Sequence, residues 1–556
     1  MTYDQITSLR SQLKRTWKHF FRPFGGRLYP VQIEAIPHIL SGSNVIIQSP
    51  TASGKTEAVM APVLERLLKS QYEAPAVFYT CPTRALVYDI YERMVHHVED
   101  LGLSIAIRTG EVKQFKPSSP QDIILSTPES LDSMLCRNLR NMSNIQYVIL
   151  DELHLLHGTY RGDQLRMDIL RLEDATEKKP QYCALSATFK RPETIASQYF
   201  NPFKVIKIKG TRAIDYKLQD YSKRKQCLSD LLQQFRQSKI YKALFFCNSR
   251  RETEGLAQIL KEIGIWPAES IYVHHGSLGK NERLTTEYAL KTRRVGLCTA
   301  TMTLEVGIDI GDIDMIVLVS PPPGVSSLLQ RIGRGNRREN ITRSIGLYKT
   351  EEDYIEFTNL FEQAKKGELD EVKHGPCFSV AVQQIFSLLY QNRNHGVYEE
   401  QLTRFLMKLP MKENQIRLLL QRLEEKEYIA TNQGKITATT KTIDLGDHGF
   451  IHANIPSVPA FQVVNDATGK KVGDIASFDQ FNKEFVLSGK RWYIESIDGS
   501  KIKVSSTKSR KGQPPLFAPA QTHGRYFGLL PPQLKVDCCK ELDTISSNSK
   551  IRGNGE

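Results

Sequence analysis

Residues 49–58, "SPTASGKTEA", have the residue types of a phosphate-binding loop. The full pattern is G-x-x-x-x-G-K-[ST]: its backbone N–H groups wrap phosphates, its lysine neutralises the outer ones and its hydroxyl holds Mg²⁺. Ser53, Gly54, Lys55 and Thr56 match its second half, but Ser49 stands where the first glycine belongs. The motif alone fits an ordinary loop at a helix start as well as it fits a nucleotide site.

Two adjacent carboxylates further along the chain could supply the metal ligand and the water-activating base that a phosphate-binding loop lacks. In "QYVILDELHLLH", residues 146–157, an apolar run ends at Asp151 and Glu152. At the carboxyl edge of a parallel sheet, Asp151 can hold Mg²⁺ and Glu152 can orient or deprotonate a water molecule. The alternative is an acidic helix start that complements the helix dipole. Together with the loop, the pair predicts hydrolysis of ATP with Mg²⁺.

The elements that must position these groups are alternating strands and helices. The run 44–48, "NVIIQ", predicts a buried strand before the loop, and residues 57–68 have helical periodicity after it. The alternation covers residues 28–209 and resumes, after a joint near 210–220, until about residue 363. Further strands are predicted to end at Cys81, Thr127, Leu150, Ala187, Cys247, His275, Thr299 and Ser320. The pattern predicts an α/β chain with two parallel-sheet lobes.

Length, charge and cysteine usage narrow the class of protein. A chain of 556 residues predicts about 3 or 4 domains. The 75 Lys and Arg exceed the 61 Asp and Glu, and the net charge of +14 favours a polyanionic partner. No membrane span or signal peptide is predicted, so we expect a cytoplasmic, nucleoid-associated protein with no membrane partner. The nine cysteines form no C-x-x-C pair, and Cys81, Cys183, Cys247 and Cys298 are predicted to be buried.

A series of short motifs, in fixed order at the predicted strand ends, resembles that of superfamily 2 DEAD/DEAH-type helicases. Gln32 in "YPVQIEAI" is similar to the adenine-reading glutamine of these proteins. The phosphate loop and "DELH" are accompanied by "PTRAL" from 82, "TPES" from 127, "SAT" from 186, "CNSRRETE" from 247, "HHGSL" from 274, "TATMTLEVGIDIG" from 299 and "QRIGRGNRR" from 330. In this superfamily a small residue commonly replaces the first loop glycine, so Ser49 fits the pattern.

The resemblance implies two tandem RecA-like lobes and a role for each motif residue. Arg334 and Arg337 resemble arginine fingers that reach the γ-phosphate when the lobes close, with Gln330 near the phosphate or its water. The implied nucleotide contacts are Gln32, Ser53, Gly54, Lys55, Thr56, Asp151 and Asp309, with Thr56 and Asp151 as Mg²⁺ ligands. Ser186, Thr188 and His154 are implied to couple hydrolysis to strand movement. The implied contacts to nucleic-acid phosphates are Thr83, Arg84, Thr127, Ser249, Arg250, Thr299 and Thr301.

The C-terminal third predicts two smaller units. Residues 377–440 contain three amphipathic helices and a hairpin with Gly434 near its turn, which together predict a winged helix. Such a unit can read DNA, dock a protein or brace a channel around one strand, and its position after two lobes favours the brace. Residues 459–517 alternate in strand fashion between the turns "DATGKK", "LSGKR" and "DGSK", which predicts a small β-rich domain. Trp492 is interpreted as a core residue in preference to a base-stacking platform.

Several of these segments also resemble the large helicase-related (Lhr-like) family. They are "DELH", "YRGDQLRMDILRLE" from 160, "PPPGVSSLLQRIGR" from 321 and the turn at Gly489 before Trp492. The implied domains are lobe 1 (1–212), lobe 2 (213–372), a winged helix (373–445), a β-rich domain (446–535) and a disordered tail (536–556). The region after the winged helix is shorter than is usual in that family, which predicts a weaker grip on the exit strand.

Three functions follow from these patterns. The first is an ATP-dependent 3′ to 5′ DNA helicase or translocase that loads on single-stranded DNA, unwinds DNA or RNA–DNA duplexes as a monomer, and serves DNA repair or defence against foreign DNA. The second is an RNA helicase or RNA-dependent ATPase, because phosphate contacts do not read the sugar strictly. The third is a nucleic-acid-stimulated ATPase subunit that does not unwind.

Overall fold

The computed structural model describes residues 3–50, 53–187, 190–208, 212–305, 308–336, 341–370, 375–456, 460–478, 483–507, 512–518 and 523–535. The predicted roles of Thr188 and Arg337 and the predicted tail 536–556 lie outside the described residues. Within the part that is described, no helix combines the length and apolarity needed to cross a membrane.

Lobe 1 is a seven-stranded parallel sheet with helices on both faces. Its strands are β1 (Val45–Gln48), β2 (Val77–Thr80), β3 (Ile105–Arg108), β4 (Ile123–Ser126), β5 (Tyr147–Leu150), β6 (Gln181–Ser186) and β7 (Lys204–Lys207), in the order β3-β4-β2-β5-β6-β1-β7. Its helices are α1 (Tyr3–Gln12), α2 (Trp17–Phe20), α3 (Pro30–Leu40), α4 (Lys55–Leu67), α5 (Arg84–Glu99), α6 (Pro128–Arg137), α7 (Leu139–Met142), α8 (Tyr160–Ala175) and α9 (Pro192–Ala196). The central strands are buried on both faces, which explains their continuous apolar runs.

Lobe 2 is a six-stranded parallel sheet. Its strands are β8 (Ala213–Asp220), β9 (Lys242–Phe246), β10 (Ile271–His274), β11 (Gly296–Ala300), β12 (Met315–Leu318) and β13 (Ile341–Tyr348), in the order β10-β11-β9-β12-β13-β8. Its helices are α10 (Arg224–Gln237), α11 (Arg250–Ile263), α12 (Lys280–Thr292), α13 (Val325–Ile332) and α14 (Glu351–Lys366). The two parallel-sheet lobes predicted from the sequence are confirmed.

The predicted joint near residues 210–220 is wrong for most of its length. Residues 213–220 form β8, which pairs with β13 over its full extent, from Ala213 opposite Ile341 to Asp220 opposite Tyr348. The segment is the edge strand of the sheet and its side chains alternate between partial burial and exposure. It therefore lacks the continuous apolar run by which the buried strands were recognised.

The winged helix has the predicted three helices and hairpin. Its elements are α15 (Ser379–Gln391), β14 (Val397–Tyr398), α16 (Glu399–Leu406), α17 (Glu413–Glu425), β15 (Ile429–Asn432), β16 (Lys435–Ala438) and a fourth helix, α18 (Thr440–Asp447). The hairpin turn places Gln433 and Gly434 at φ 49° and 73°, the left-handed conformation that a two-residue hairpin turn requires.

The β-rich segment forms one mixed five-stranded sheet, here called the β-module. Its strands are β17 (Phe461–Asn465), β18 (Lys471–Ile475), β19 (Glu484–Leu487), β20 (Lys490–Asp498) and β21 (Lys501–Ser506), in the order β18-β17-β21-β20-β19. Trp492 is only 3% exposed, and its indole N–H donates to the carbonyl of Leu487 at 2.9 Å. Its interpretation as a core residue is confirmed. Cys81, Cys183, Cys247 and Cys298 are buried free thiols, as expected.

The winged helix is joined to lobe 1 by a buried polar network. Asp132 of α6 accepts hydrogen bonds from Arg171 of α8 (2.6 Å) and Ser387 of α15 (2.6 Å), and its second oxygen lies 2.8 Å from Nδ1 of His452. Burial opposes the charge of Asp132, but Arg171 and His452 hold its pKa below the usual range. Among the described residues, Asp132, Cys136 and His452 are the one group with metal-ligand geometry. The Arg171 guanidinium already compensates the Asp132 charge, so the group serves as an interface.

The β-module is joined to lobe 2 by a second buried carboxylate. Glu254 of α11, which is fully buried, accepts hydrogen bonds from the backbone N–H groups of Ser488 (2.6 Å) and Gly489 (2.8 Å) and lies 3.0 Å from Nε2 of His275. Apolar side chains of the β-module, Trp492 included, share one core with lobe 2. The segment 525–534 instead packs into the core of the winged helix. The predicted 446–535 unit therefore contributes to two cores, and the domain limits stay a prediction.

Removing the Glu254 carboxylate should detach the β-module. Glu254→Ala leaves two buried N–H groups without an acceptor, and we expect the free energy of unfolding to fall by about 2–5 kcal/mol. Glu262→Ala, on the same helix, is the comparison: it removes an exposed carboxylate that pairs with Arg491 of the β-module at 3.8 Å and should change the free energy of unfolding by less than about 1 kcal/mol. Thermal unfolding with limited proteolysis measures both. Equal stability of the two variants would show that Glu254 does not hold the module.

Candidate nucleotide site and inter-lobe cleft

The phosphate loop lies between β1 and α4, as its chemistry requires. Gly54 caps α4 at φ 82°, and a side chain there would collide with the Gln32 amide and the Tyr29 ring. Ser49, which replaces the usual first glycine, is buried; its N–H donates to Ser186 and its hydroxyl donates to Ser53 at 2.7 Å. The substitution thus fits a closed loop, with a hydrogen bond that glycine cannot make.

Lys55 points back along the loop. Its ammonium donates to the carbonyls of Ser49 (2.7 Å) and Pro50 (2.9 Å), and the side chain is buried. Burial lowers the pKa of Lys55, and the charges of Glu152 and Asp151 partly restore it. The cation is therefore held within the loop that would wrap the phosphates.

Asp151 and Glu152 form a buried pair at the end of β5. Asp151 accepts hydrogen bonds from the Tyr79 hydroxyl (2.7 Å) and from the Glu152 N–H (2.9 Å). Burial and the Glu152 charge raise the pKa of Asp151 to about 7. Glu152 adopts φ 45° and ψ 45°, a left-handed conformation that is costly for a side chain with Cβ and is concentrated at functional sites.

The pair fits a divalent cation. The two negative charges of Asp151 and Glu152 repel each other because both carboxylates are buried. A bound divalent cation would compensate both charges and remove this electrostatic cost. Oε2 of Glu152 accepts no hydrogen bond within the described part of the chain. The hydroxyl of Thr56, at the start of α4, is the second predicted ligand, and carboxylate and hydroxyl oxygens are the donors that Mg²⁺ prefers.

Gln32 lies beside the loop, as its motif implies. Its carbonyl oxygen accepts from the N–H of Tyr29 (2.9 Å), and its amide donates to the carbonyl of Gly54 (3.2 Å). Tyr29 was not predicted to be a site residue from the sequence. Its ring is 57% exposed, and one edge of the ring lies beside Gly54 of the loop. An aromatic residue three positions before the glutamine was the available signal. An exposed ring at this place can stack on a planar base.

His154 lies close to the Glu152 carboxylate, to the end of β6 and to a residue of lobe 2. Its Nδ1 lies 3.4 Å from Oε2 of Glu152 and 3.3 Å from Oγ of Ser186. Burial lowers the pKa of His154, which the Glu152 charge and a hydrogen bond with Gln330 partly oppose. Gln330 belongs to α13 of lobe 2, so this contact crosses the cleft between the lobes. The predicted coupling residues Ser186 and His154 thus meet at the site.

Arg334 faces the same site from lobe 2. It is 1% exposed, and its guanidinium donates to the carbonyls of Glu305 (2.6 Å) and Ile308 (3.1 Å). The carboxylate of Glu305 accepts from Arg331 at 2.7 Å, which fixes the segment that holds Arg334. The Arg334 charge is near enough to Lys55 to lower its pKa. The guanidinium is held on lobe 2 carbonyls, on the side of the lobe from which its charge acts on Lys55.

Asp309 lies at another contact between the lobes. Its N–H donates to Asp89 of α5 in lobe 1 (3.1 Å), while its carboxylate pairs with Lys291 (3.0 Å) and accepts from Gly311 N–H (3.1 Å). The Asp309 carboxylate is therefore bound by residues of its own lobe. Its contact with the nucleotide stays a prediction.

Three of the predicted phosphate contacts occupy helix N-termini. Thr83, Thr127 and Ser249 are the residues immediately before α5, α6 and α11. The Thr83 hydroxyl accepts from Leu86 N–H, and the Ser249 hydroxyl accepts from Glu252 N–H. Helix N-termini favour anions, because their first N–H groups point outward and the helix dipole is positive there.

The remaining predicted contacts divide into three cases. Arg84 is half exposed and pairs with Glu111. Arg250 donates to the carbonyl of Ala518 (3.2 Å), and Thr301 is one of the residues that line the cleft. Thr299 lies inside β11, is fully buried and donates its hydroxyl to the Tyr272 carbonyl at 3.3 Å, a position that does not favour its predicted phosphate contact. The strand continues to Ala300, one residue beyond its predicted end, and Thr301 behind it is also mostly buried, at 7% exposure.

A cleft of about 1060 Å³ separates the lobes beside these groups. Lobe 1, lobe 2 and the segment 516–518 all contribute to its walls. His154 and Gln330 lie in its lining, so the cleft is continuous with the nucleotide site. Ser249, Arg250 and Thr301 line it as well.

Two family models match the lobes. Residues 29–195 match the DEAD/DEAH box helicase model, and residues 223–339 match the helicase conserved C-terminal domain. The chain is 28% identical to the ATP-dependent helicase Lhr-Core of Methanocaldococcus jannaschii over 90% of this chain and 64% of that protein. It is 27% identical to the Lhr helicase/probable uracil glycosylase of Mycolicibacterium smegmatis over 65% of this chain and 28% of that protein.

Solved structures show the same fold. The Mycobacterium smegmatis helicase Lhr, bound to ssDNA and AMP-PNP, has a TM-score of 0.69 at 24% identity and covers 80% of this chain and 63% of that one. The DUF1998 helicase MrfA, bound to DNA, has a TM-score of 0.73 at 19% identity and covers 89% of this chain and 73% of that one. The chain thus spans less than two thirds of the length of these Lhr relatives. The two lobes therefore match the two domain models of the DEAD/DEAH box helicases, and the chain is similar in sequence and in fold to Lhr helicases.

Proposed function

We propose that the chain hydrolyses ATP with Mg²⁺ and uses the reaction to move 3′ to 5′ along single-stranded DNA, unwinding DNA or RNA–DNA duplexes. The observation that carries the proposal is the meeting of both lobes at one site. His154 of lobe 1 and Gln330 of lobe 2 line one cleft, and the N–H of Asp309 in lobe 2 donates to Asp89 of lobe 1 at 3.1 Å.

Each lobe supplies groups that the other lacks. Lobe 1 provides the loop that wraps phosphates, Lys55 to neutralise them, and Glu152 to orient and deprotonate a water molecule. Mg²⁺, held by Thr56 and Asp151, supplies charge for the phosphates. Lobe 2 provides the Arg334 guanidinium, which stabilises charge in the transition state only when the lobes are closed.

This arrangement ties hydrolysis to lobe closure. When the cleft is closed, Gln330 contacts His154. This contact affects Glu152, because His154 lies 3.4 Å from that carboxylate. Ser186, 3.3 Å from the same imidazole, belongs to the end of β6. We infer that the strand grip and the nucleotide site change state together through these three side chains. All the named groups belong to one chain, which supports a monomeric motor.

The partner is proposed to be single-stranded DNA. Helix N-termini at Thr83, Thr127 and Ser249 suit phosphates, and the chain carries a net charge of +14. The Lhr and MrfA structures that resemble this chain are bound to DNA. The 3′ to 5′ polarity and a role in DNA repair or in defence against foreign DNA rest on the Lhr likeness alone.

Nucleic-acid stimulation of hydrolysis tests the proposal. ATP turnover should rise with single-stranded DNA, and a duplex with a 3′ tail should be unwound while a 5′-tailed duplex is not. Stronger stimulation by single-stranded RNA would favour an RNA helicase or RNA-dependent ATPase. Stimulation without strand displacement would favour an ATPase subunit that does not unwind. Turnover that nucleic acid does not change would refute all three.

Arg250 should contribute to phosphate grip. Arg250→Ala is expected to weaken single-strand binding equally for all sequences and to reduce the salt slope of binding by about 1, since one phosphate contact is lost. Arg404→Ala, an exposed arginine of α16 on the winged helix, is the matched control. Fluorescence anisotropy at several salt concentrations measures both slopes. An unchanged slope for Arg250→Ala would remove this arginine from the strand path.

A further inference from the structure

Two large apolar side chains project into the inter-lobe cleft. Met302 is 62% exposed and Leu516 is 52% exposed, and both line the cleft. Met302 directly follows Thr301, and Arg250 also lines the same walls. Leu516 lies outside the motor motifs and Met302 lies within one of them, but the phosphate grip assigned to these motifs uses neither apolar side chain.

Leu516 is held firmly in this position. It lies in the segment 512–518, here called the strap, which crosses from the β-module to lobe 2. The Leu516 N–H donates to the carbonyl of Ser477 (3.0 Å), and its own carbonyl accepts from Ala476 N–H (2.8 Å). The next residue, Phe517, packs edge-on against His275 with ring centroids 5.1 Å apart. The exposed leucine is therefore fixed by the hydrogen bonds of its own backbone and by the packing of Phe517.

The charges of the cleft identify the kind of occupant. Its walls carry the cationic side chains Lys190, Arg191, Arg250, Arg251 and Arg331. The carboxylates in the lining are Glu305 and Asp370, and Glu305 already pairs with Arg331. An excess of positive charge beside exposed apolar side chains suits a polyanion that also presents uncharged planar faces. Single-stranded nucleic acid has this chemistry, because its bases are unstacked and its phosphates are evenly spaced.

We propose that Leu516 and Met302 contact the bases of the gripped strand while Ser249, Arg250 and Thr301 hold its phosphates. The inference rests on the proposed motor function and adds base contacts to it. Apolar contact with a base face is tolerant of sequence, as a motor requires, because every base has such a face. The strap is joined to the β-module, and the β-module is joined to lobe 2 through Glu254, so the base contact moves with lobe 2.

A strand without bases separates this contact from phosphate grip. We expect Leu516→Ala to weaken binding of a single-stranded oligothymidylate about fivefold and to leave its salt slope unchanged, because no phosphate contact is lost. Binding of an abasic phosphodiester strand of the same length should not change. Met302→Ala should behave in the same way, and Leu516→Met should retain binding, since it keeps an apolar side chain of similar volume. Ile497→Ala is the matched control, because Ile497 is equally exposed on β20 and does not line the cleft.

Each alternative result overturns a defined statement. Equal weakening of both strands by Leu516→Ala would show that the strap supports phosphate grip and makes no base contact. Unchanged binding of both strands would assign the two apolar side chains to some other contact, such as closure of the lobes. Either result leaves the motor function intact, whereas failure of the unaltered chain to bind any strand would overturn the motor function together with this inference.

Discussion

Lys55→Ala and Glu152→Gln are each expected to abolish ATP turnover, but only Lys55→Ala should weaken ATP binding. The Lys55 ammonium lies inside the phosphate loop, bonded to the carbonyls of Ser49 and Pro50. Without it, phosphate charge is uncompensated in the ground state as well as in the transition state. Glu152→Gln retains the shape of the side chain and loses its basicity, so we expect hydrolysis to fall by about 10²–10⁴-fold with binding preserved.

The local structure indicates that Glu152→Gln will preserve the backbone conformation and nucleotide binding. Glutamine keeps the length and branching of glutamate, and the left-handed backbone at Glu152 is held by its own N–H bond to Asp151. Removing the charge also relieves the repulsion that raises the pKa of Asp151. Nucleotide affinity should therefore stay the same or increase.

Matched surface variants control for nonspecific effects. Lys69→Ala, just beyond the end of α4, and Glu92→Gln, on the exposed face of α5, should leave both turnover and affinity unchanged. Single-turnover hydrolysis and binding of a fluorescent ATP analogue provide the two measurements. Turnover near that of the unaltered chain in either site variant would remove the ATPase assignment. Equally weakened affinity in both would contradict the separate roles.

The nucleotide site was predictable because its signals are local. Gly54, Lys55 and Thr56 are consecutive, and Asp151 and Glu152 end one apolar strand, so spacing alone places them at the edge of a sheet. Thr299 shows the limit of this reasoning. β11 ends one residue later than predicted, at Ala300, and the Thr299 side chain is fully buried; strand ends are the least certain part of a sequence pattern.

The joints between units were not predictable, because they depend on residues far apart in the chain. Glu254 meets Gly489 across 235 positions, and Asp132 meets His452 across 320. Buried glutamates and aspartates have no distinctive sequence pattern, and the turn "LSGKR" reads as an ordinary exposed hairpin until its partner is known. The contacts of Arg334 were not predictable either. Its motif predicts an arginine finger, but it does not indicate that the carbonyls of Glu305 and Ile308 bind the guanidinium.

These joints give the molecule a mechanical organisation. The winged helix is fixed to lobe 1 through Asp132 and Arg171, and the β-module is fixed to lobe 2 through Glu254. Opening and closing of the lobes must therefore move the winged helix and the β-module relative to one another. Deleting residues 459–556 would uncover the shared core of lobe 2, so point substitutions such as Glu254→Ala test the β-module better than truncation does.

Arg334→Ala is expected to slow hydrolysis by roughly 10³-fold or more with little change in ATP affinity. The guanidinium is buried, held by the carbonyls of Glu305 and Ile308 of lobe 2, and its charge lowers the pKa of Lys55. It thus acts on the charge that develops when the lobes are closed and contributes little to the first capture of ATP. The same result is predicted for Arg337.

The conservative and control variants decide whether Arg334 acts on the reaction or on the fold. Arg334→Lys keeps the charge but lacks the planar fork that donates to two acceptors at once, so it should recover only a small part of the rate. Arg236→Ala, in the last turn of α10 and exposed, should have no effect. Pre-steady-state kinetics should show a lower rate of the chemical step for Arg334→Ala with normal nucleotide binding, although the loss of two buried hydrogen bonds also lowers the thermal unfolding midpoint. A change confined to nucleotide affinity would move Arg334 out of the transition-state role, and a lowered unfolding midpoint with proportionate loss of binding would make it a structural residue of lobe 2.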